Sequence, residues 1–489
     1  MIARIARPAP IRAEPKPFAA LVFLALLAVS STVLRAQALP PPLPGDARLD
    51  LFPDSADLRA SYWNGFLAAP RDVALSRAPA TLRGRDGLFR FSSVRGRTSF
   101  YLIVAAVKSG PGIPRGREPV YTQGSWIIKR SLDDGRFLQA KVFLKSDPGV
   151  FLRIYPDGDR SRLDLVLYGG VINREVPIPV PFERVCVSRM ADIVDWTRDL
   201  VDWRLFSPRP GLYANVASMV AAIRERLGGL NYTDDGALDG QGRAVHIQDD
   251  SPQEGKPGLN CSGFAKWVVD GFYEPLTGTY LDPRAMAERH LGSRGGDWSN
   301  VYEKSLDPYF GLDWTRNLAL ALAKAALPEE EHSLTGSDVD IAPFALFAPS
   351  TAEPVNGGST YEPYNAPTSS LGYAARGLKA LLYVLAIRDP GDIYLASVSR
   401  SSGGRLTGLW RHYHVAVLAP YFDANGEFRP VVFESDVETS VEALASRVPD
   451  EMIHLVRIPA LSDFEPPPFP PPPAAPAPAP PSAPASPTP

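Results

Sequence analysis

The chain has 489 residues, 45% of them hydrophobic and 21% charged, the balance of a globular rather than a disordered protein. That length exceeds one ordinary domain, so two domains with tails are expected. The formal net charge of −3 offers no basic footprint, and a nucleic-acid partner is not expected.

Residues 1–38 read as an export signal. Arg4, Arg7, Arg12 and Lys16 precede an apolar run from Phe18 to Leu34, and Ala36–Ala38 has the small-x-small pattern of a cleavage site. An uncleaved anchor is the rival reading, although the run is marginal in length for a span. No cysteine directly follows the apolar run, so lipid attachment there is not available. The mature chain is expected to be periplasmic or secreted, with no stable membrane span once the signal is cleaved near Ala38.

Residues 39–84 form a proline-containing lead-in. From 85 to 206 the pattern predicts a β-rich accessory domain. Its short runs of β-branched and aromatic residues, such as "TSFYLIVAAV" and "RFLQAKVFL", suit strands. Asp-Gly pairs in "LDDGRF" and "YPDGDR" are hairpin signals. A meander, sandwich or small barrel would satisfy them. "ADIVDWTRDLVDW" reads as a helix, and Ser207–Gly211 as a boundary.

The second domain is expected over 211–464. Val216, Met219, Val220, Ile223 and Leu227 recur at helical spacing, and Gly228-Gly229 supplies a stop. Residues 277–375 read as a mixed insertion, and strands dominate after it. The tail, 465–489, is rich in proline and alanine and is expected to be extended and solvated.

There are two cysteines. Cys186 lies in an apolar stretch, where a buried inert thiol is expected. A bridge from Cys186 to Cys261 is the one intrachain disulfide the composition leaves open. Cys261 lies in "GLNCSGFAKWVVDGF". Asn260 is a suitable N-cap, and Phe264, Trp267, Val268 and Phe272 fall on one stripe of an amphipathic helix. The thiol would therefore sit in a first helical turn, near free N–H groups that favour a thiolate and can hold an oxyanion.

A nucleophilic thiol needs a base. His290 and His332 have polar, charged neighbours and read as surface residues. His246 lies in a polar loop, and His454 in a strand-like run. In "RHYHVAVLAPY" a strand would put His412 and His414 on one face. No third ligand is spaced with them for a metal.

Taken in order, these segments resemble the NlpC-type cell-wall cysteine peptidases. "NCSGF" is similar to that family's Asp-Cys-Ser-Gly-Phe helix start, and "VAAIRERLGGLNY" to its leading helix. "DPGDIYLASV" and "HVAVLAPYFDANGEFRPVVFES" are similar to its later strands. The resemblance spans about 213–275 and 385–440. It implies an α+β, papain-like cysteine peptidase domain behind the β-rich domain. It also implies a Cys-His-Glu mechanism on an amide of peptidoglycan stem peptides, at the D-γ-glutamyl–diamino acid bond, with no cofactor. Cys261 would be the nucleophile, His414 the base and Glu434 the residue orienting it. Tyr232 and Ser262 would contact substrate, with Ser262 lending its amide to the oxyanion hole. His412 is the alternative base. Asn260 replaces the family's Asp and Ala416 its Gly, and the 277–375 insertion is additional. A thiol acyltransferase, another amidase on the same fold, or a non-catalytic wall-binding protein are the rival functions.

Overall fold

The structure, a computed structural model, describes residue 49 and residues 52–469, except 108–122, 207, 210, 291–306, 328–332, 350–360, 369–370 and 402–409. The expected signal segment, His332 and the tail beyond Phe469 lie outside the described residues.

The β-branched runs form eight consecutive antiparallel strands. They are β1 (Ala80–Gly84), β2 (Gly87–Arg95), β3 (Ser99–Ala106), β4 (Trp126–Ser131), β5 (Phe137–Phe143), β6 (Val150–Asp157), β7 (Arg160–Leu167) and β8 (Gly170–Ile178). Gly135 and Gly158, in the two Asp-Gly turns, have φ of 71° and 63°. A side chain would strain that backbone, which is why glycine stands there. Trp126, Ile128, Val142, Leu152, Ile154 and Leu163 are buried, the inward half of a period-two pattern. Two further strands come from the insertion: β11 (Phe347–Pro349) pairs with β8 at Phe347–Val171, and β12 (Tyr361–Pro363) pairs with β11. The sheet thus has ten strands.

A small ribbon, β9 (Gly236–Leu238) and β10 (Ala244–His246), precedes the cysteine helix. The second large sheet is also antiparallel. Its strands are β13 (Tyr373–Ala374), β14 (Asp392–Ser401), β15 (Trp410–Phe422), β16 (Phe428–Glu434), β17 (Val437–Thr439) and β18 (Met452–Pro459), ordered β13-β18-β14-β15-β16-β17. Five helices frame it: α1 (Ala214–Leu227), α2 (Cys261–Thr277), α3 (Phe310–Ala326), α4 (Leu378–Arg388) and α5 (Val441–Arg447). Phe264 of α2 meets Phe433, which pairs with Val417. Tyr383 of α4 meets Phe422, an odd number of residues further along β15. With a period of two, α2 and α4 cover opposite faces.

These sheets correct the expected fold class. The chain is dominated by a ten-stranded and a six-stranded antiparallel sheet, and a compact papain-like α+β peptidase domain is not what it forms. The physical reason lies partly in the insertion. Its strands β11 and β12 satisfy their backbone groups on the edge of the first sheet. Helix α4 also packs beside the first sheet: the Tyr383 hydroxyl donates to the Leu205 carbonyl at 2.6 Å, and its ring lies 6.0 Å from that of Tyr168, between β7 and β8.

The tail begins differently from expectation as well. The Trp267 indole donates to the Pro467 carbonyl at 2.9 Å, and the Glu465 amide donates to the Gly271 carbonyl at 2.9 Å. Phe464 packs on Phe272 at 4.7 Å between centroids, and Pro466 and Pro467 are buried. The first proline-rich residues therefore dock along α2.

Candidate active site

Helix α2 starts where the sequence places its cap. Asn260 has extended backbone angles, and its side-chain oxygen accepts the Gly263 amide at 2.8 Å. The Asn260 carbonyl takes the Phe264 amide. Helix geometry leaves the first-turn amides without intrahelical partners, so those of Cys261 and Ser262 remain for a ligand. Gly263 is required for packing: a Cβ there would stand 1.9 Å from the Gly236 carbonyl oxygen. This contact seats the helix start against β9.

The helix is not amphipathic. Every residue from Ser262 to Phe272 is buried, including Lys266 and Asp270, whose charges meet at 2.6 Å inside the protein. A helix buried all round must pair its charges internally. The Asp270 carboxylate also accepts the Leu281 amide at 2.9 Å.

Strand β15 brings His414, the expected base. β16 pairs with it only as far as Val417–Phe433. Cys261 meets β15 beyond that limit, where its sulfur stands beside the Val415 amide and the His414 ring, both of which favour its thiolate. A bulge sets the direction of that ring. Val398 pairs with His414, but the next residue, Ser399, pairs with His412, so Tyr413 is extra. An added residue resets the alternation. His414 therefore shares the face of Val398, and His412 the face of Ser397 and Ser399. The shared face expected for the two histidines is corrected.

Glu434 ends β16. Its Oε1 lies 2.7 Å from His414 Nε2, and its Oε2 accepts from Arg447 Nη2. Since Nε2 is engaged by Glu434, Nδ1 is left to face the thiol. Burial pushes the Cys261 thiol up, but the bond to His414, the charge of that ring, the Val415 amide and the Ser262 side chain outweigh it, and the net shift is downward. Burial likewise works against a charged His414, yet its bonds to Cys261 and Glu434 carry it up to about 9. Burial raises Glu434, and its bonds to His414 and Arg447 reverse that and hold it below the usual range. The three shifts agree in direction and favour a thiolate beside an imidazolium held by a carboxylate.

The remaining candidates separate clearly. Ser262 is buried; its carbonyl accepts the Trp314 indole at 2.9 Å and its side chain supports the thiol. Tyr232 is 58% exposed; its phenol is raised chiefly by a hydrogen bond with Asp234, and it feels the charge of Cys261. His412 is buried, with Nδ1 2.9 Å from Ser397 Oγ, and burial pushes it down to about 3. His454 is buried beside Asp340, at 3.3 Å. His290 bonds Asn317 at 2.7 Å. Cys186 is buried and unbridged, and its thiol is pushed up by burial. The Cys186–Cys261 disulfide is absent, both thiols being free. Among the described residues, no group of three His, Cys, Asp or Glu side chains is arranged to hold a metal.

Sequence reasoning missed Arg447 and the Val415 amide. Neither carries a local signal, since one depends on where α5 ends and the other on where β16 stops.

Residues 48–205 match a family model described as a domain of unknown function, DUF8515. That match covers most of the lead-in and strands β1 to β8 of the first sheet, and not Cys261, His414 or Glu434. No curated protein and no solved structure matches the chain. Among the described residues, no helix is long and apolar enough to cross a membrane.

Proposed function

We propose that the chain is an exported cysteine endopeptidase that cleaves an amide in peptidoglycan stem peptides. The catalytic part rests on one observation: His414 Nε2 lies 2.7 Å from Glu434, and the Cys261 thiol stands beside the same ring at a helix start. The substrate class rests on the resemblance of residues 213–275 and 385–440 to the cell-wall peptidases. Export rests on the pattern of residues 1–38.

In this reading the Cys261 thiolate attacks the substrate carbonyl carbon, and the C–S bond forms as the C=O π pair moves to oxygen. The Cys261 and Ser262 amides stabilise that oxyanion. On collapse the C–N bond breaks, and the imidazolium Nδ1–H of His414 protonates the departing amine. Water then attacks the thioester, His414 takes its proton, and the acid leaves as the thiolate returns. Glu434 holds Nε2–H throughout and stabilises the imidazolium.

The test is to incubate the mature chain with peptidoglycan and soluble muropeptides, and to read the products by mass spectrometry beside Cys261→Ala. New stem-peptide fragments that vanish in the variant are expected, and they name the bond. A product carrying the acyl group on an added amine would make the protein a transferase. Unchanged substrate under reducing conditions would overturn the endopeptidase reading.

A further inference from the structure

Glu434 can orient His414 only if its own carboxylate is fixed. The terminal torsion of a glutamate is broad, so one engaged oxygen leaves the group free to swing. Its first oxygen is on His414 Nε2 at 2.7 Å. The chain turns away directly afterwards, with Ser435 in the left-handed region at φ 55°, so β16 itself does not restrain the side chain further. The second oxygen meets Arg447 Nη2.

Arg447 is well placed for this. It is the last residue of α5, a helix whose start is set by Ser440 Oγ accepting the Ala443 amide at 3.1 Å. Its own Nε leans back on the Ala443 carbonyl at 3.4 Å. The Arg447 side chain is 57% exposed and that of Glu434 10%, so the guanidinium stands between the carboxylate and solvent.

We propose that Arg447 is a positioning residue, holding the second oxygen of Glu434 so that the first stays on His414; this rests on the catalytic reading of the Cys261 site. Arg447 touches neither the thiol nor the imidazole in this scheme, and it acts through Glu434. The other charged and titratable groups around the pair are Cys261 on α2, Tyr413 and His414 on β15, Arg400 on β14 and Glu451. Glu451 accepts the Tyr413 hydroxyl at 2.6 Å, and Arg400 lies 4.4 Å over the Tyr413 ring. None of these reaches Oε2 among the bonds to Glu434, and Arg447 alone supplies that contact among the described residues.

The test reads the thiolate directly and needs no substrate. Iodoacetamide alkylation of Cys261 is followed against pH in the wild type, Arg447→Ala, Arg447→Lys, Glu434→Gln and the Glu434→Gln/Arg447→Ala double variant. Arg447→Ala is expected to move the half-maximal pH upward by about half a unit, a modest shift because the guanidinium is partly solvated. Arg447→Lys should restore most of it. In the Glu434→Gln background the same alanine change should add nothing, since coupled residues are not additive. Equal shifts in both backgrounds would mean a direct charge effect and overturn the positioning role, as would no shift in either. If the wild-type thiol alkylates no faster than denatured protein, the catalytic reading falls and this inference falls with it. An activated wild type that is indifferent to Arg447 removes this inference alone. Arg447→Gln repeats the comparison should the alanine variant melt below the assay temperature.

Discussion

His412 and His414 stand two residues apart on β15 and project to opposite faces of the sheet. One bonds Ser397 in the interior at 2.9 Å, and the other bonds Glu434 at 2.7 Å beside the thiol. Their substitutions should therefore separate. His414→Ala is expected to slow alkylation of Cys261 at pH 6 by about tenfold, as the thiol returns toward about 8.5. His412→Ala should leave that rate within about twofold and cost about 1–3 kcal/mol in stability through the stranded Ser397 hydroxyl. Parallel alkylation and denaturant titrations check both.

His412 also sets an acid limit. Its folded value is pushed down to about 3 by burial, below the unfolded value of about 6.5. Between those values the unfolded chain binds the extra proton, so stability falls as pH falls from about 6.5 toward 3. His412→Leu should flatten that part of the stability–pH curve in urea melts. An unchanged slope would show that His412 is not the group being titrated.

The alkaline limit belongs to His414. With its imidazolium held up to about 9, transfer of a proton to the leaving amine should fail as pH rises through that value. His414's own contribution to stability runs the same way: it is full below about 6.5 and lost as pH rises through about 9. Glu434→Gln removes a charge that favours the imidazolium, so it should move this limb to lower pH. Hydrolysis–pH profiles of the two proteins, or direct titration of the ring by NMR, decide it.

The docked tail predicts a sharp difference between two truncations. A chain ending at Phe469 should melt with the full-length protein. A chain ending at Asp463 strands the buried Trp267 indole and removes Phe464 from Phe272. An unsatisfied buried donor costs about 1–3 kcal/mol, and some further loss comes from the ring. A melting point at least about 3 °C lower is expected, measured by scanning calorimetry.

What was legible in the sequence was local. Asn260 before Cys261 gave the helix start, because capping is decided within four residues. The Asp-Gly turns at Gly135 and Gly158 and the β-branched runs between them marked the strands of the first sheet. What was not legible depended on pairing across long distances. The bulge at Tyr413 exists only against β14, and nothing in "RHYHV" alone reveals that an alternation is broken there. The docking of Pro467 on Trp267 joins residues two hundred positions apart. The fold class failed for the same reason. Likeness over 213–275 and 385–440 carries no information about where β11 and β12 find hydrogen-bond partners: β11 finds one at Val171 of β8, and β12 pairs with β11.

That placement of β11 and β12 bears on how the chain is made. As it leaves the ribosome, β1 to β8 emerge early, but the strand that pairs with the outer side of β8, at Val171, follows only at Phe347. During that interval β8 presents an open row of amides and carbonyls, a template for pairing with a neighbouring nascent chain. The protein's first sheet is finished by residues synthesised after Cys261, which is already translated before β11 can pair with β8.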